Sequence, residues 1–299
     1  MSTAALRSPW SAFKAAHLRC SALRTGLHAT FALPDPARDC SAAVEFRARC
    51  RSGAHTGHTV GAAPGFVQCN LVALPRGEAL DFMLFALRNA RACPILGITE
   101  PGSPFPLIAP SADLRSDVPK YAVWRDGELD AYVHDARDVW RDDMVGFLLG
   151  CSFTWEDQLE AAGLTPRHVE QQCNVPMYRT SLPNVRVGPF GGDLVVSMRP
   201  YRPEQIEAVA GLTGRYPGAH GGPVHWGDDY AETLGIESLA RPDFGDAVVI
   251  RDGEVPVFWA CGVTPQTALM EAKLPLAITH APGFMFVTDL IDGDLRCEA

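Results

Sequence analysis

Residues 255–261, VPVFWAC, are apolar at every position and rich in β-branched and aromatic side chains, which predicts a strand covered on both faces. Gly262 interrupts the run. Thr264 suits an N-cap and Pro265 a first helical position, so residues 266–272 read as a short helix stopped before Pro275. The pattern then repeats, with a strand at 276–279 ending in His280, a Pro282-Gly283 turn and a strand at 284–288. Further strand patterns cover 66–74, 95–99, 121–125, 128–133, 175–180, 194–198 and 246–250, with Asp126-Gly127 as a hairpin turn. Helical patterns cover 40–50, 75–89, 138–150 and 154–162, and another starts at Pro203. The second of these puts Leu80, Met83, Leu84 and Leu87 on one face, and the fourth offers Thr154 and Asp157 as a capping box.

Strand, helix and strand across 66–99 predict a right-handed crossover with parallel pairing. The fold class expected is therefore α/β, a largely parallel sheet covered by helices with an inserted smaller α+β subdomain. The main domain would take 39–110 and 185–299, the insert 111–184, and residues 1–38 an N-terminal extension. In such sheets ligands sit at the carboxyl ends of strands, here marked by Cys261 and Thr264 on one and by Thr279 and His280 on another. Unpaired amides at a helix start favour an anion in the same place.

Other candidates follow from residue type and position. Asn70 lies among apolar neighbours in a strand, so its amide either ties a loop or faces a ligand. Arg179 and Arg199 each follow a strand-like run, and guanidinium suits bidentate carboxylate recognition; a solvated surface charge is the other reading. A lone Cys261 in an apolar strand is usually core, and an activated nucleophile is the other reading. His220 and His225 stand five apart, which is no zinc spacing, and His55 with His58 has no third ligand nearby. The glycines of 52–65 lack dinucleotide-binding spacing.

Several segments carry a resemblance: GFVQCNLVALP at 65–75, CPILGITEPG at 93–102, WRDDMVGFLLGCSF at 140–153, NVPMYRTS at 174–181, VVSMRP at 195–200, HGGPVHWGD at 220–228, VFWACGVTPQ at 257–266 and ITHAPG at 278–283. Collinear from about Gly53 to Asp289, they are similar to the D-glutamate cyclase family of bacterial hydro-lyases. That resemblance implies a dehydrating closure of D-glutamate to 5-oxo-D-proline. It implies His280 as base or acid, amides near Gly262 with Thr264 for an oxyanion or carboxylate, and Arg199 as a carboxylate clamp. Cys261 could form a thioester, while Asn70, Glu100, Arg179, His220, Gly262 and Phe284 would lie on the substrate side. One departure stands out: family members usually read THxPGHM, whereas this chain has Phe284 in place of the second histidine. A lyase or hydratase for another small carboxylate, and a non-catalytic carboxylate binder, remain as alternatives.

Composition narrows the partners. A net charge of −9 without a basic stripe argues against nucleic acid and anionic membranes. Nine scattered cysteines with no C-x-x-C pair suit reduced thiols in a cytoplasm, and no apolar run reaches the roughly 18 residues of a membrane span. The expectation is a cytoplasmic enzyme for a small carboxylate, without metal or organic cofactor, open to homo-oligomer formation.

Overall fold

The computed structural model describes residues 33–297, so most of the extension expected over 1–38 lies outside the described residues. In chain order the strands are β1 (Phe66–Pro75), β2 (Ile95–Ile98), β3 (Tyr121–Arg125), β4 (Glu128–Val133), β5 (Met144–Gly150), β6 (Met177–Pro183), β7 (Asp193–Tyr201), β8 (His225–Trp226), β9 (Val255–Ala260), β10 (Ala277–His280) and β11 (Phe286–Ile291). The helices are α1 (Ser41–Arg51), α2 (Arg76–Arg88), α3 (Phe153–Ala161), α4 (Arg167–Glu170), α5 (Ile206–Thr213), α6 (Tyr230–Leu234), α7 (Thr264–Ala272) and α8 (Asp292–Leu295). Seven strands form one sheet in the order β2-β5-β1-β10-β3-β4, with β11 also paired to β1, and four form a second in the order β6-β7-β9-β8.

Mixed α/β content is as expected; the parallel sheet is not. Every strand pairing among the described residues is antiparallel. The crossover from β1 through α2 to β2 does bring the two strands into the same direction, but β5 pairs with both and fills the slot between them. A local pattern sets the direction in which a strand runs and says nothing about which distant strand comes between. Residues 111–184, set apart by the sequence as an insert, contribute β3, β4 and β5 to the larger sheet and β6 to the smaller.

Two elements depart from the expected assignment for identifiable reasons. Residues 144–150, MVGFLLG, form β5 and not the end of a helix, and all seven are buried. A continuous apolar run carries neither a 2.0 nor a 3.6 period, so pattern alone cannot decide its state. Gly150 is required there, since a Cβ would overlap the Gly218 carbonyl. In α2 the buried face is Phe82, Phe85 and Ala86, while Leu80 and Leu87 are 60% and 57% exposed. Phe82 packs edge-on against Phe147 at 4.9 Å and Phe190 at 5.3 Å, and aromatic rings there bury more area than the leucines would. Residues 246–250 run as loop.

The larger sheet is covered on both sides. Leu71, Ala73 and Leu148 face a core shared with Ile108, Ala112, Leu114 and Val118, while Val72, Leu74, Phe147 and Leu149 face α2 and α7. Period-two alternation explains how one apolar strand feeds two cores. β9 does the same in the smaller sheet, sending Trp259 to one core and Phe258 to the other.

Candidate active site

β1 changes neighbour part-way along its length. Val72 and Ala73 pair with Thr279 and Ile278 of β10, whereas Gln68 and Cys69 pair with Val287 and Phe286 of β11. Asn70 and Leu71 therefore stand opposite a break from which residues 281–285 are extruded. His280 fills part of this break. Its Nδ1 lies 3.1 Å from Leu71 N and 3.3 Å from Leu71 O. A backbone N–H can only donate, so the neutral ring accepts at Nδ1 and carries its proton on Nε2. Burial pushes His280 down to about 4 despite the contact with Leu71, so the ring is neutral at pH 7 and acts as an N–H donor.

The β9–α7 turn closes on the same place. Gly262 packs on the Asn70 side chain so closely that any Cβ would overlap its amide. Asn70 Nδ2 in turn donates to Gly150 O at 2.8 Å, tying β1, β5 and the turn together. The backbone amides of Gly262 and Val263 lie close enough to the Cys261 sulfur to favour its charged form. Burial pushes the Cys261 thiol up to about 11, against the pull of the Val263 amide, the nearby Arg199 charge and the Gly262 amide. Thr264 is not the N-cap that the sequence suggests. It is the first residue of α7, fully buried, and its Oγ1 accepts from Val195 N at 3.0 Å, anchoring the helix start to β7. Gln266 Nε2 donates to His280 O at 3.2 Å and links α7 to β10.

Arg199 is wholly buried, and the carboxylate it clamps is the protein's own. Its Nε donates to Glu156 Oε1 at 3.1 Å and Nη2 to the same oxygen, with Ser197 Oγ and Ser152 Oγ each accepting at 3.0 Å. The guanidinium lies between the rings of Trp155 at 4.7 Å and Trp259 at 5.3 Å. On its other side Glu156 Oε2 lies 3.2 Å from His168 Nε2. Burial alone would raise the Glu156 carboxyl; His168 and Arg199 outweigh it and hold the group down to about 2. Cys151 precedes α3 as Cys261 precedes α7. Its thiol is pushed up to about 12 by burial, against the Phe153 amide, with the Cys261 thiol and Glu156 adding to the rise.

The remaining candidates are dispersed. His220 is buried beside this cluster, its Nδ1 2.7 Å from Arg91 O, and burial pushes it down to about 4. Phe284 is half-buried on the extruded segment and packs on His58 at 4.5 Å, with Lys120 Nζ 5.4 Å from the ring. Glu100 is exposed in the turn after β2. Arg179 is exposed on β6, over the Phe244 ring and near Asp243. The structure thus gathers Asn70, Arg199, His220, Cys261, Gly262, Thr264 and His280, and leaves Glu100 and Arg179 outside. Among the described residues no three His, Cys, Asp or Glu side chains form a metal-holding group.

Sequence reasoning missed Glu156, His168, Ser152 and Ser197. Glu156 was detectable: Ser152, Glu156 and Leu159 recur at i, i+4 and i+7, and all three are buried. Beside Glu156 a small cleft opens, lined also by Gln68, Phe153, Asp157, Glu160 and Asp292. Phe153 joins the cleft to the apolar cluster that includes Cys261.

The family model described as D-glutamate cyclase matches residues 145–289, which run from β5 to β11. A protein of Rubrobacter xylanophilus is 56% identical over 84% of this chain and 97% of its own. One of Bacillus licheniformis is 55% identical over 83% of this chain and 94% of its own, and one of Jannaschia sp. 51% identical over 84% and 94%. All three carry the description "putative hydro-lyase". At that identity and coverage, the chain belongs to the D-glutamate cyclase family of hydro-lyases.

Proposed function

We propose that this protein closes D-glutamate to 5-oxo-D-proline with loss of water, at the β9–α7 turn. The observation that carries the reading is the pair of amides, Gly262 and Val263, beside the Cys261 sulfur at a helix start and near a buried guanidinium. That is a preformed place for a negatively charged oxygen. In the reaction the substrate nitrogen bonds to the side-chain carboxyl carbon and a carbon–oxygen bond of that carboxyl breaks. Of the three ammonium protons, one stays on the lactam nitrogen and two leave with the oxygen as water. The tetrahedral oxyanion between these events would lie against the two amides, with the His280 Nε2–H as a further donor.

Cys261 serves this scheme best without a covalent step. A thiol pushed up to about 11 is almost wholly protonated at pH 7, and only the thiolate is a strong nucleophile. The thiol then lines the anion site that the amides create. Phe284 favours a second reading: an apolar ring where the family resemblance leads one to expect a histidine suits a small carboxylate with an apolar group.

The test is 5-oxoproline formation from D-glutamate by wild type, Cys261→Ala and Gly262→Ala. Wild type and the cysteine variant are expected to turn over at similar rates. Gly262→Ala should lose about 10²-fold or more, as expected for displacing an oxyanion donor. No 5-oxoproline from wild type, with thermal stabilisation by another small acid, would transfer the site to that acid.

A further inference from the structure

We infer that the cleft beside Glu156 is a binding site for a small organic cation bearing N–H donors, a primary ammonium or a guanidinium. Its charged walls are all of one sign. Glu156, Asp157 and Glu160 come from α3 and Asp292 from the start of α8, and among the described residues no Lys, Arg or His lines the space. The charge of Glu156 is already matched by Arg199 and His168; the other three carboxylates face the cleft without such a cluster behind them. A second observation points to a donor-bearing ligand. Gln68 also lines the cleft and is 5% exposed, and its Nε2 donates to Thr59 O at 2.9 Å. Its Oε1 is buried and has no hydrogen-bond partner among the described residues. A buried acceptor left unmatched costs free energy that a ligand N–H would recover. Crowded carboxylates and an orphan acceptor together ask for positive charge and donors at once. Burial and the neighbouring Asp157 charge, acting against a hydrogen bond from Gln158, push Asp292 up to about 7, as expected of a carboxylate awaiting a cation.

The group could arrive on a free amine or as the ammonium of an amino-acid substrate, and the inference stands whether or not D-glutamate is that substrate. Thermal unfolding of the full chain is followed with 1,4-diaminobutane, tetramethylammonium, D-glutamate or glutarate, each at matched ionic strength. At a hundredfold excess over Kd, 1,4-diaminobutane or D-glutamate is expected to raise Tm by about 5 °C or more. Tetramethylammonium, charged but without N–H donors, should raise it little, as should glutarate if the ammonium is the substrate's. Asp292→Asn and Gln68→Leu should abolish the effect. Asp292→Asn should also raise the Tm of the unliganded protein, because it removes a repelled charge, and that gain separates lost binding from lost folding. Protection by diaminobutane with none by D-glutamate assigns the cleft to a separate amine, and protection by D-glutamate over glutarate assigns it to the substrate's ammonium. No protection by either N–H cation, equal protection by tetramethylammonium, or protection that survives in both variants would overturn the inference.

Discussion

Arg199 on β7 and the amides that follow β9 lie near one another, and both offer positive charge, yet they are built for different ends. The guanidinium is enclosed by Glu156, Ser152, Ser197 and two tryptophan rings, so its charge is spent inside the protein. Among the described residues the Gly262 and Val263 amides have no backbone partner and act on a thiol that burial keeps protonated, so the polarity they supply is uncommitted. Under the proposed function, anion binding would fall to backbone at a helix start more than to the residue whose type advertised it. The arginine holds the scaffold in which that backbone is fixed.

The largest effect that tests this difference is on stability. Glu156→Gln would leave Arg199 buried without its carboxylate, at a cost of about 3–5 kcal/mol. The midpoint of urea unfolding should fall with the slope unchanged. An unchanged midpoint, together with altered D-glutamate affinity, would return Arg199 to the ligand-clamp role that its sequence position suggests.

What could be read from the sequence follows the range of the interactions involved. β9, α7 and β10 were legible because an apolar run, a glycine break and a Thr-Pro pair act within a few residues. The neighbour of β2 was not, because β5 reaches it from about fifty residues away. Gly262 was legible only as an interruption; that it makes room for the Asn70 amide is a contact across 192 positions of chain, from 70 to 262. Arg199 was legible as an arginine just past a strand, but it lies within β7 and its partner sits in a helix whose acidic residues look like an ordinary solvated face. Local chemistry was visible in each case, and the pairing that gave it a role was not.

A smaller effect separates the charged cluster from the neutral histidines. His220 and His280 are both held down to about 4 by burial, below the ordinary histidine value near 6.5. A depressed folded-state value gives stability that is present above about pH 6.5 and lost as pH falls through 4. Each contributes roughly 3 kcal/mol over that window. Glu156, held down to about 2, keeps its contribution until pH falls below the ordinary glutamate range. Asp292 opposes the histidines, because a raised value gives stability present at low pH and lost as pH rises through about 7. Urea midpoints should therefore drop between pH 6.5 and 4 by less than the two histidines alone would give, and His280→Asn should flatten part of the drop. A flat profile would mean that these rings are open to protons and not sealed against the break in β1.

The smallest effect concerns the residue that departs from the family pattern. Phe284 lies four residues past His280 on the segment extruded opposite Asn70, where most relatives are expected to place an imidazole. If that imidazole carried an essential proton, its loss would cost roughly 10²–10⁴ in rate. Two observations argue for less. Phe284 rests on His58, so an imidazole from the 53–65 loop already stands against this turn, and Lys120 Nζ is 5.4 Å from the Phe284 ring. The Gly283 carbonyl also accepts from Thr59 N at 3.0 Å, and Thr59 Oγ1 accepts from Met285 N at 3.0 Å, so the loop carrying His58 is fastened to the segment carrying Phe284. A histidine at 284 would then add a second imidazole to a place that has one. Phe284→His is expected to raise 5-oxoproline formation by about tenfold or less, and His58→Phe to lower it by a similar factor. Phe284→Leu should leave the rate near wild type. A gain of 10² or more in the histidine variant would show that His58 does not substitute for the missing ring, and would place the proton-handling group on the extruded segment itself.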